Sequence, residues 1–179
     1  MTEDNAQATI TQARLKSVLR YDPETGEFTW IAKVSNLSRA KIGSRAGSDR
    51  AGPYRILKID KKNYLEHRMV WLYVFGIFPQ GDIDHKNLNK KDNRLSNLRL
   101  ASDSQNRQNT GISKRNTSGV KGVTWCVQKR RWRAMIKLHD DKWQTHLGYF
   151  KNKDDAKAAY DNAAKIYFGE FARPNEVAA

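Results

Sequence analysis

Ile83-Asp84-His85-Lys86-Asn87 is the stretch from which the interpretation of this chain begins, and a loop rich in Asn and Lys leads from it into Asn97-Leu98-Arg99-Leu100. In this stretch the carboxylate of Asp84 stands directly beside the imidazole of His85, immediately after the apolar residue Ile83. Asn97 lies twelve residues after His85, and Asn106 lies nine residues further on. Carboxylate, imidazole and carboxamide groups at these spacings can hold one divalent metal ion and activate one water molecule.

The residues around this stretch predict two paired strands followed by a helix. One strand is expected to end at Asp84-His85, and a return strand is expected over 98–101. Ser102 is a favoured helix N-cap, and Gln105 three residues later completes a capping box, so a helix should begin there. This order can bring four candidate side chains together, those of Asp84, His85, Asn97 and Asn106.

The chemistry of these groups fits the hydrolysis of a phosphodiester. Oxygen ligands suit a hard cation, Mg²⁺ or Mn²⁺, which stabilises the developing charge and the leaving 3′ oxygen. The imidazole of His85 can take the proton of the attacking water. We expect Asn97 to hold the loop and orient this imidazole, Asn93 to tie the loop by hydrogen bonds, and His67 to have a structural role beneath the site. An Asp-His pair alone is more often a surface hydrogen bond, so the combination carries the hypothesis.

The segments before this stretch predict a small α+β domain. The residues of Tyr21-Asp22-Pro23-Glu24-Thr25-Gly26 are typical of a turn, in which Gly26 can adopt a positive φ. Hydrophobic periodicity predicts the other elements: a helix over 9–19, strands over 27–31 and 54–59, a basic loop over 33–53, a turn over 60–63 and an apolar helix over 64–74. Together with the paired strands and their helix, these elements give an N-terminal domain over 1–110.

Residues 111–118, which are rich in Gly, Ser, Asn and Lys, predict a linker to a second domain over 119–175. The stretch 131–138 alternates as a strand does, with an apolar face of Trp132, Ala134, Ile136 and Leu138. A strand before it, a turn over 139–142, a third strand over 143–150 and a helix over 153–168 capped by Asn152 complete the pattern. We therefore expect a three-stranded antiparallel sheet packed on one helix.

The opposite face of this sheet is basic. The chain has a net charge of +14 and a pI of about 10.0, which favours a polyanionic partner because neutralising phosphates releases counterions. A sheet is among the elements that fit the major groove of duplex DNA. A plainer interpretation is a solvated outer face. The candidate DNA contacts are Lys121, Thr124, Arg131, Arg133, Lys137, Gln144 and His146.

Composition indicates the compartment. Cys126 is the only cysteine, which excludes an internal disulfide and fits a reducing cytosol. The first residues are polar and do not resemble a signal peptide, and no apolar run approaches the roughly eighteen residues of a membrane span. We expect a cytoplasmic protein with no membrane association.

Several blocks of the N-terminal domain resemble the HNH, or ββα-metal, endonucleases of phage and homing type. The blocks are His67-Arg68-Met69-Val70-Trp71, Ile83-Asp84-His85, the run from Asp92 to Arg99, and Ser104-Gln105-Asn106. The resemblance covers about residues 20–110, and it is closest to the subtype in which Asn replaces the final His. It implies that Asp84 and Asn106 hold the metal ion and that His85 is the base.

The C-terminal domain resembles the APETALA-two/ethylene-response-type DNA-binding domains over about 117–175. Among the blocks that carry this resemblance are Gly119-Val120-Lys121-Gly122-Val123 and His146-Leu147-Gly148-Tyr149-Phe150. In that family the sheet enters the major groove. Plant members often carry Arg or Trp where this chain has Thr124, Cys126 and His146, so their base preferences are not transferred.

The sequence therefore predicts a metal-dependent DNA endonuclease, of homing or phage type, that acts as a monomer on double-stranded DNA in a bacterial cytoplasm. The second domain would hold the duplex near a weak catalytic domain. Two alternatives remain open. One is a non-catalytic, sequence-specific transcription regulator with a decayed nuclease fold. The other is an RNA-binding protein, which is disfavoured because A-form major grooves do not admit a sheet.

Overall fold

The computed structural model describes residues 10–34, 40–49, 52–138, 143–173 and 175. The chain divides into two compact units, Met1–Ala101 and Ser102–Ala179. Both units combine helices with small antiparallel sheets, as expected of an α+β protein. The segment 111–118 lies inside the second unit. The turn predicted over 139–142 and parts of the predicted loop over 33–53 fall outside the described residues.

The first unit contains two helices and three two-stranded antiparallel sheets within its described residues. Buried side chains from all of these elements form one hydrophobic core, in which Leu15, Phe28, Leu57 and Val70 are fully inaccessible to solvent. The elements are α1 (Gln12–Val18), β1 (Leu19–Asp22), β2 (Glu27–Trp30), β3 (Ile56–Ile59), β4 (Lys62–Leu65), α2 (Glu66–Phe75), β5 (Asp82–His85) and β6 (Leu98–Ala101), with a short 3-10 turn at Leu95–Asn97 before β6.

The strand β4 was not predicted from the sequence. The turn predicted over 60–63 and the apolar helix predicted from Tyr64 overlap this strand, and α2 begins at Glu66. Asp60 and Lys61 adopt φ values of 49° and 67°, which is the geometry of a two-residue hairpin turn. Such a turn leaves the residues after it free to pair with β3. Glycine, which usually marks this turn, is absent from it, so the sequence carries no strong signal.

The β1–β2 turn supports the loop that precedes β6. Gly26 has a φ of 74°, and a Cβ there would meet the backbone of Asn93 and Arg94. The hydroxyl of Tyr21 on β1 donates a buried 2.8 Å hydrogen bond to the carbonyl oxygen of Asn93. Burial raises the pKa of Tyr21 to about 12, so this hydroxyl remains a donor at neutral pH. The first sheet therefore sets the backbone position of Asn93.

The second unit consists of α3 (Asp103–Gln108), the sheet β7 (Val123–Cys126), β8 (Arg131–Ile136) and β9 (Thr145–Phe150), and α4 (Lys153–Phe168) with a 3-10 turn at Gly169–Phe171. The capping box of Ser102 and Gln105 is confirmed. Alternation along β8 is also confirmed, because Ala134 and Ile136 are buried in the core with α4. Asn152 stands at the N-cap of α4, but its side chain makes no capping hydrogen bond and donates to Asp155 instead.

A bulge between β8 and β9 changes which side chains share the outer face of the sheet. Arg133 pairs with Tyr149, but Met135 pairs with His146, so β9 contains one extra residue between these pairs. Side chains of directly paired residues lie on the same face. His146 and Tyr149 therefore lie together on the outer face, with ring centroids 4.6 Å apart.

No helix among the described residues is both long enough and apolar enough to span a membrane.

We predict that Gly26→Ala lowers the free energy of unfolding by about 3 kcal/mol, which combines left-handed backbone strain with a steric conflict. Gly43→Ala is the matched control, because Gly43 has a φ of 85° and an added Cβ there would meet nothing within 4 Å. The control should lose only about 1 kcal/mol. Urea denaturation of both variants checks this, and equal losses would show that the contact with the Asn93 loop is unimportant.

Candidate functional site

His85 lies at the end of β5 and is only 4% exposed. Its Nε2 atom is 3.1 Å from Oδ1 of Asn93. The His67 ring packs edge-on against the His85 ring, with centroids 5.2 Å apart, and the Tyr54 ring lies close to both. Because β5 ends at His85 and α2 begins next to His67, two elements of the core hold this aromatic cluster.

The environment keeps both imidazoles neutral. Burial lowers the pKa of His85 below its usual 6.5, although the Asn93 hydrogen bond partly opposes that shift. Burial, followed by electrostatic interaction with the neighbouring His85 imidazole, lowers the pKa of His67 to about 3. A carbonyl oxygen can only accept a hydrogen bond, so the Asn93 contact favours the His85 tautomer with its proton on Nε2. The basic lone pair of that tautomer is on Nδ1.

Asn93 and Asn97 organise the loop between β5 and β6. Asn93 is 1% exposed, and within the described residues its Nδ2 has no hydrogen-bond partner. Oδ1 of Asn97 accepts from the backbone N–H of Asn87 at 3.0 Å, and its Nδ2 donates to the carbonyl oxygen of Asp92 at 2.8 Å. Asn97 thus holds the loop backbone, while Asn93 contacts the imidazole.

Asp84 faces Arg99 across the β5–β6 pair. Nε and Nη2 of Arg99 donate to the same oxygen, Oδ2 of Asp84, at 2.9 and 2.7 Å. The two side chains are only 10% and 8% exposed, so this ion pair is largely removed from water. No role was predicted for Arg99 from the sequence.

The candidate metal ligands lie on β5 and α3, which are separated along the chain by β6 and belong to different units. Asp84 belongs to β5 in the first unit, whereas Asn106 lies on α3 in the second. Among the described residues, no cluster of three or more His, Cys, Asp or Glu side chains could hold a metal ion. The donor chemistry of one carboxylate and one carboxamide still fits Mg²⁺, which is commonly held by one or two carboxylates together with waters and substrate phosphates.

The predicted DNA contacts fall into two groups. Thr124, Arg131, Arg133 and His146 lie on the outer face of the sheet, as the strand pairing requires. Lys137 and Gln144 line a cleft of about 410 Å³ in the second unit, together with residues of α3 and α4.

Lys121 lines the same cleft and has a specific structural contact. Its Nζ donates to the carbonyl oxygens of Gln108 and Thr110 at 2.8 and 2.7 Å, at the C-terminal end of α3. Burial lowers its pKa. The ammonium group therefore stabilises the end of α3, which the sequence did not indicate.

Two aromatic residues near the candidate sites, Tyr149 and Tyr54, were not predicted from the sequence. Tyr149 is 39% exposed on the outer face of the sheet, and Lys129 lies over its ring at 5.4 Å. A strict period of two places it on the opposite face, so only the bulge reveals it. The Tyr54 ring lies close to the rings of both histidines of the site, and no local sequence pattern near residue 54 predicts a contact with residue 85.

Comparisons with known proteins support the predicted resemblance to HNH endonucleases. Residues 64–108 match the HNH endonuclease family. The chain is 39% identical over 71 residues to Protein 3.8 of Escherichia phage T7, covering 39% of this chain and 59% of that protein. It is also 32% identical over 114 residues to an uncharacterised HNH endonuclease of Acanthamoeba polyphaga mimivirus, covering 62% of this chain and 57% of that one.

The chain spans less than two thirds of the length of each of these relatives. No solved structure matches it. The family match ends before the C-terminal sheet, and the APETALA-two resemblance of that sheet stays a prediction. His67, Asp84, His85, Asn93, Asn97 and Asn106 all lie inside the matched segment. This chain therefore carries an HNH endonuclease domain at residues 64–108.

Proposed function

We propose that this protein is a metal-dependent DNA endonuclease in which His85 activates the attacking water. The observation that carries the proposal is the buried His85 imidazole, which is neutral, hydrogen-bonded to Asn93 and adjacent to Asp84 in the HNH segment. A general base must be unprotonated at working pH and held in one orientation. His85 meets both requirements, because its pKa is lowered and its Nε2 is hydrogen-bonded to Asn93.

Each of the chain's own groups has a separate task in this mechanism. Nδ1 of His85 takes a proton from water, and Asn93 holds the proton on Nε2 so that Nδ1 stays basic. Asn97 keeps the loop backbone in place. Asp84 and Asn106 are the proposed ligands of one Mg²⁺ or Mn²⁺ ion. When bound, such an ion supplies positive charge that stabilises the leaving 3′ oxygen.

We assign duplex binding to the outer face of the second unit. Arg131 and Arg133 are paired along β8 with Cys126, Thr124 and Tyr149, and none of these neighbours is acidic. Arginine side chains on such a face can grip phosphates or read guanine edges. The further parts of the proposal are a phage or homing origin and action as a monomer in the cytoplasm of a bacterial host. Similarity to a protein of Escherichia phage T7 supports the phage origin.

The first prediction concerns cleavage. The purified protein should nick or cut duplex DNA with Mg²⁺ or Mn²⁺, and EDTA should abolish the reaction. His85→Ala should lower the rate at saturating DNA by about a hundredfold or more, because a positioned base contributes roughly that factor. Gel assays of supercoiled plasmid measure both effects, with thermal melting to show that the variant is folded. Equal cutting by His85→Ala would favour the non-catalytic DNA-binding alternative.

The second prediction concerns pH. Because the pKa of His85 lies below 6.5, the neutral base already predominates at pH 6.5, and the rate should fall only at lower pH. Asn93→Ala removes the hydrogen bond that raises this pKa, so its acid limb should move to still lower pH while its maximal rate drops. Single-turnover rates from pH 5 to 8 test this. An acid limb at or above pH 6.5 would contradict the role of His85.

The third prediction concerns DNA affinity. Arg131→Ala combined with Arg133→Ala should weaken duplex binding by about tenfold or more and reduce the salt slope by about two, since two phosphate contacts are lost. Lys157→Ala with Lys165→Ala on α4 removes the same charge from the other side of the sheet and serves as control. Fluorescence anisotropy over a salt series gives both quantities. If both double variants weaken binding equally, the outer face is not the interface.

A further inference from the structure

We propose that Arg99 is the internal counter-ion of Asp84, which holds the carboxylate until a divalent cation replaces it, so that Arg99 sets the cation affinity of the site. This inference rests on the proposed function in one respect, which is that Asp84 binds the cation. It adds a residue, Arg99, and a reason why cation and DNA should bind cooperatively.

The fold places Arg99 directly opposite Asp84. The two residues are directly opposed in the β5–β6 register, so their side chains leave the sheet on the same face. Both donor nitrogens of the Arg99 fork converge on one carboxylate oxygen, at 2.9 and 2.7 Å. Leu98 next to Arg99 is buried in the core, which fixes the strand that carries the guanidinium.

The electrostatics of this pair oppose cation binding. A carboxylate with 8% exposure is costly to leave uncompensated, and Arg99 compensates it in the absence of metal. A divalent cation at Asp84 would add positive charge beside the guanidinium in a poorly solvated place, where repulsion is weakly screened. Cation binding must therefore break the Arg99 contact or pay for that repulsion.

A displaced guanidinium needs a new anionic partner. A DNA phosphodiester is an anion that a planar arginine fork recognises well, and it is the group on which the proposed enzyme acts. DNA would thus favour the state in which Asp84 is released to the cation. By linkage, the cation must increase DNA affinity by the same factor as DNA increases cation affinity.

The test measures Mn²⁺ affinity without DNA, by electron paramagnetic resonance of the free ion. Arg99→Gln should bind Mn²⁺ about tenfold more tightly than the unsubstituted chain, because one competing charge is gone. Arg20→Gln is the control, since Arg20 is an exposed residue of β1 and its loss changes the net charge of the first unit equally. The control should leave the affinity nearly unchanged.

Unchanged or weaker Mn²⁺ affinity in Arg99→Gln overturns the inference. An equal gain in Arg20→Gln also overturns it, because general charge would then explain the effect. Asp84→Asn separates the ligand role of Asp84 from the counter-ion role of Arg99. If this variant does not weaken Mn²⁺ binding, the ligand role in the proposed function is wrong. If Asp84→Asn does weaken Mn²⁺ binding, the result for Arg99→Gln tests the counter-ion role of Arg99 alone.

Arg99→Lys covers the case in which Arg99→Gln does not fold. It keeps the charge but replaces the two-donor fork with a single ammonium, so Mn²⁺ should bind more tightly than in the unsubstituted chain, though less tightly than expected for Arg99→Gln. An affinity equal to that of the unsubstituted chain would count against the inference.

Cooperativity is tested in a His85→Ala background, in which cleavage is suppressed. A short duplex should increase Mn²⁺ affinity in that background, and the increase should be severalfold smaller when Arg99→Gln is added. An equal increase in the two proteins would show that Arg99 does not pass between Asp84 and DNA.

Discussion

The contact between Nε2 of His85 and Oδ1 of Asn93, at 3.1 Å, is the interaction on which the candidate site depends. It requires the loop backbone at Asn93 to stay in place. Tyr21 and the close approach of Gly26 hold that backbone from one side, and Asn97 holds the remainder of the loop from the other. Elements far apart in the sequence therefore converge to orient one imidazole.

Charged side chains are arranged differently in the two units. The first unit buries ionisable groups in specific pairs, Asp84 with Arg99 and Arg55 with Glu66, so their charges serve internal geometry. The second unit instead carries arginines along β8 beside neutral neighbours. Under the proposed function, tethering a cationic DNA-binding surface to the catalytic domain would raise the local concentration of DNA without new contacts at the site.

Several elements could be predicted because their signals are local. The return strand and the capped start of α3 follow from residues within one turn of each other. The inward face of β8 and the full length of α4 follow from simple periodicity. By contrast β4 was missed, since its hairpin turn lacks glycine, and Tyr149 was missed, since a bulge reverses the strand's period.

The amino-acid sequence alone establishes which chemical groups are available: His85 beside Asp84, a loop rich in asparagine, and a strand with one basic face and one apolar face. Only the tertiary structure decided which of these groups touch. Asn93 contacts His85 across eight residues, and Arg99 contacts Asp84 across fifteen. The physical reason is that residue type and spacing set local backbone preference, whereas contacts between strands and loops depend on register and on packing against a shared core.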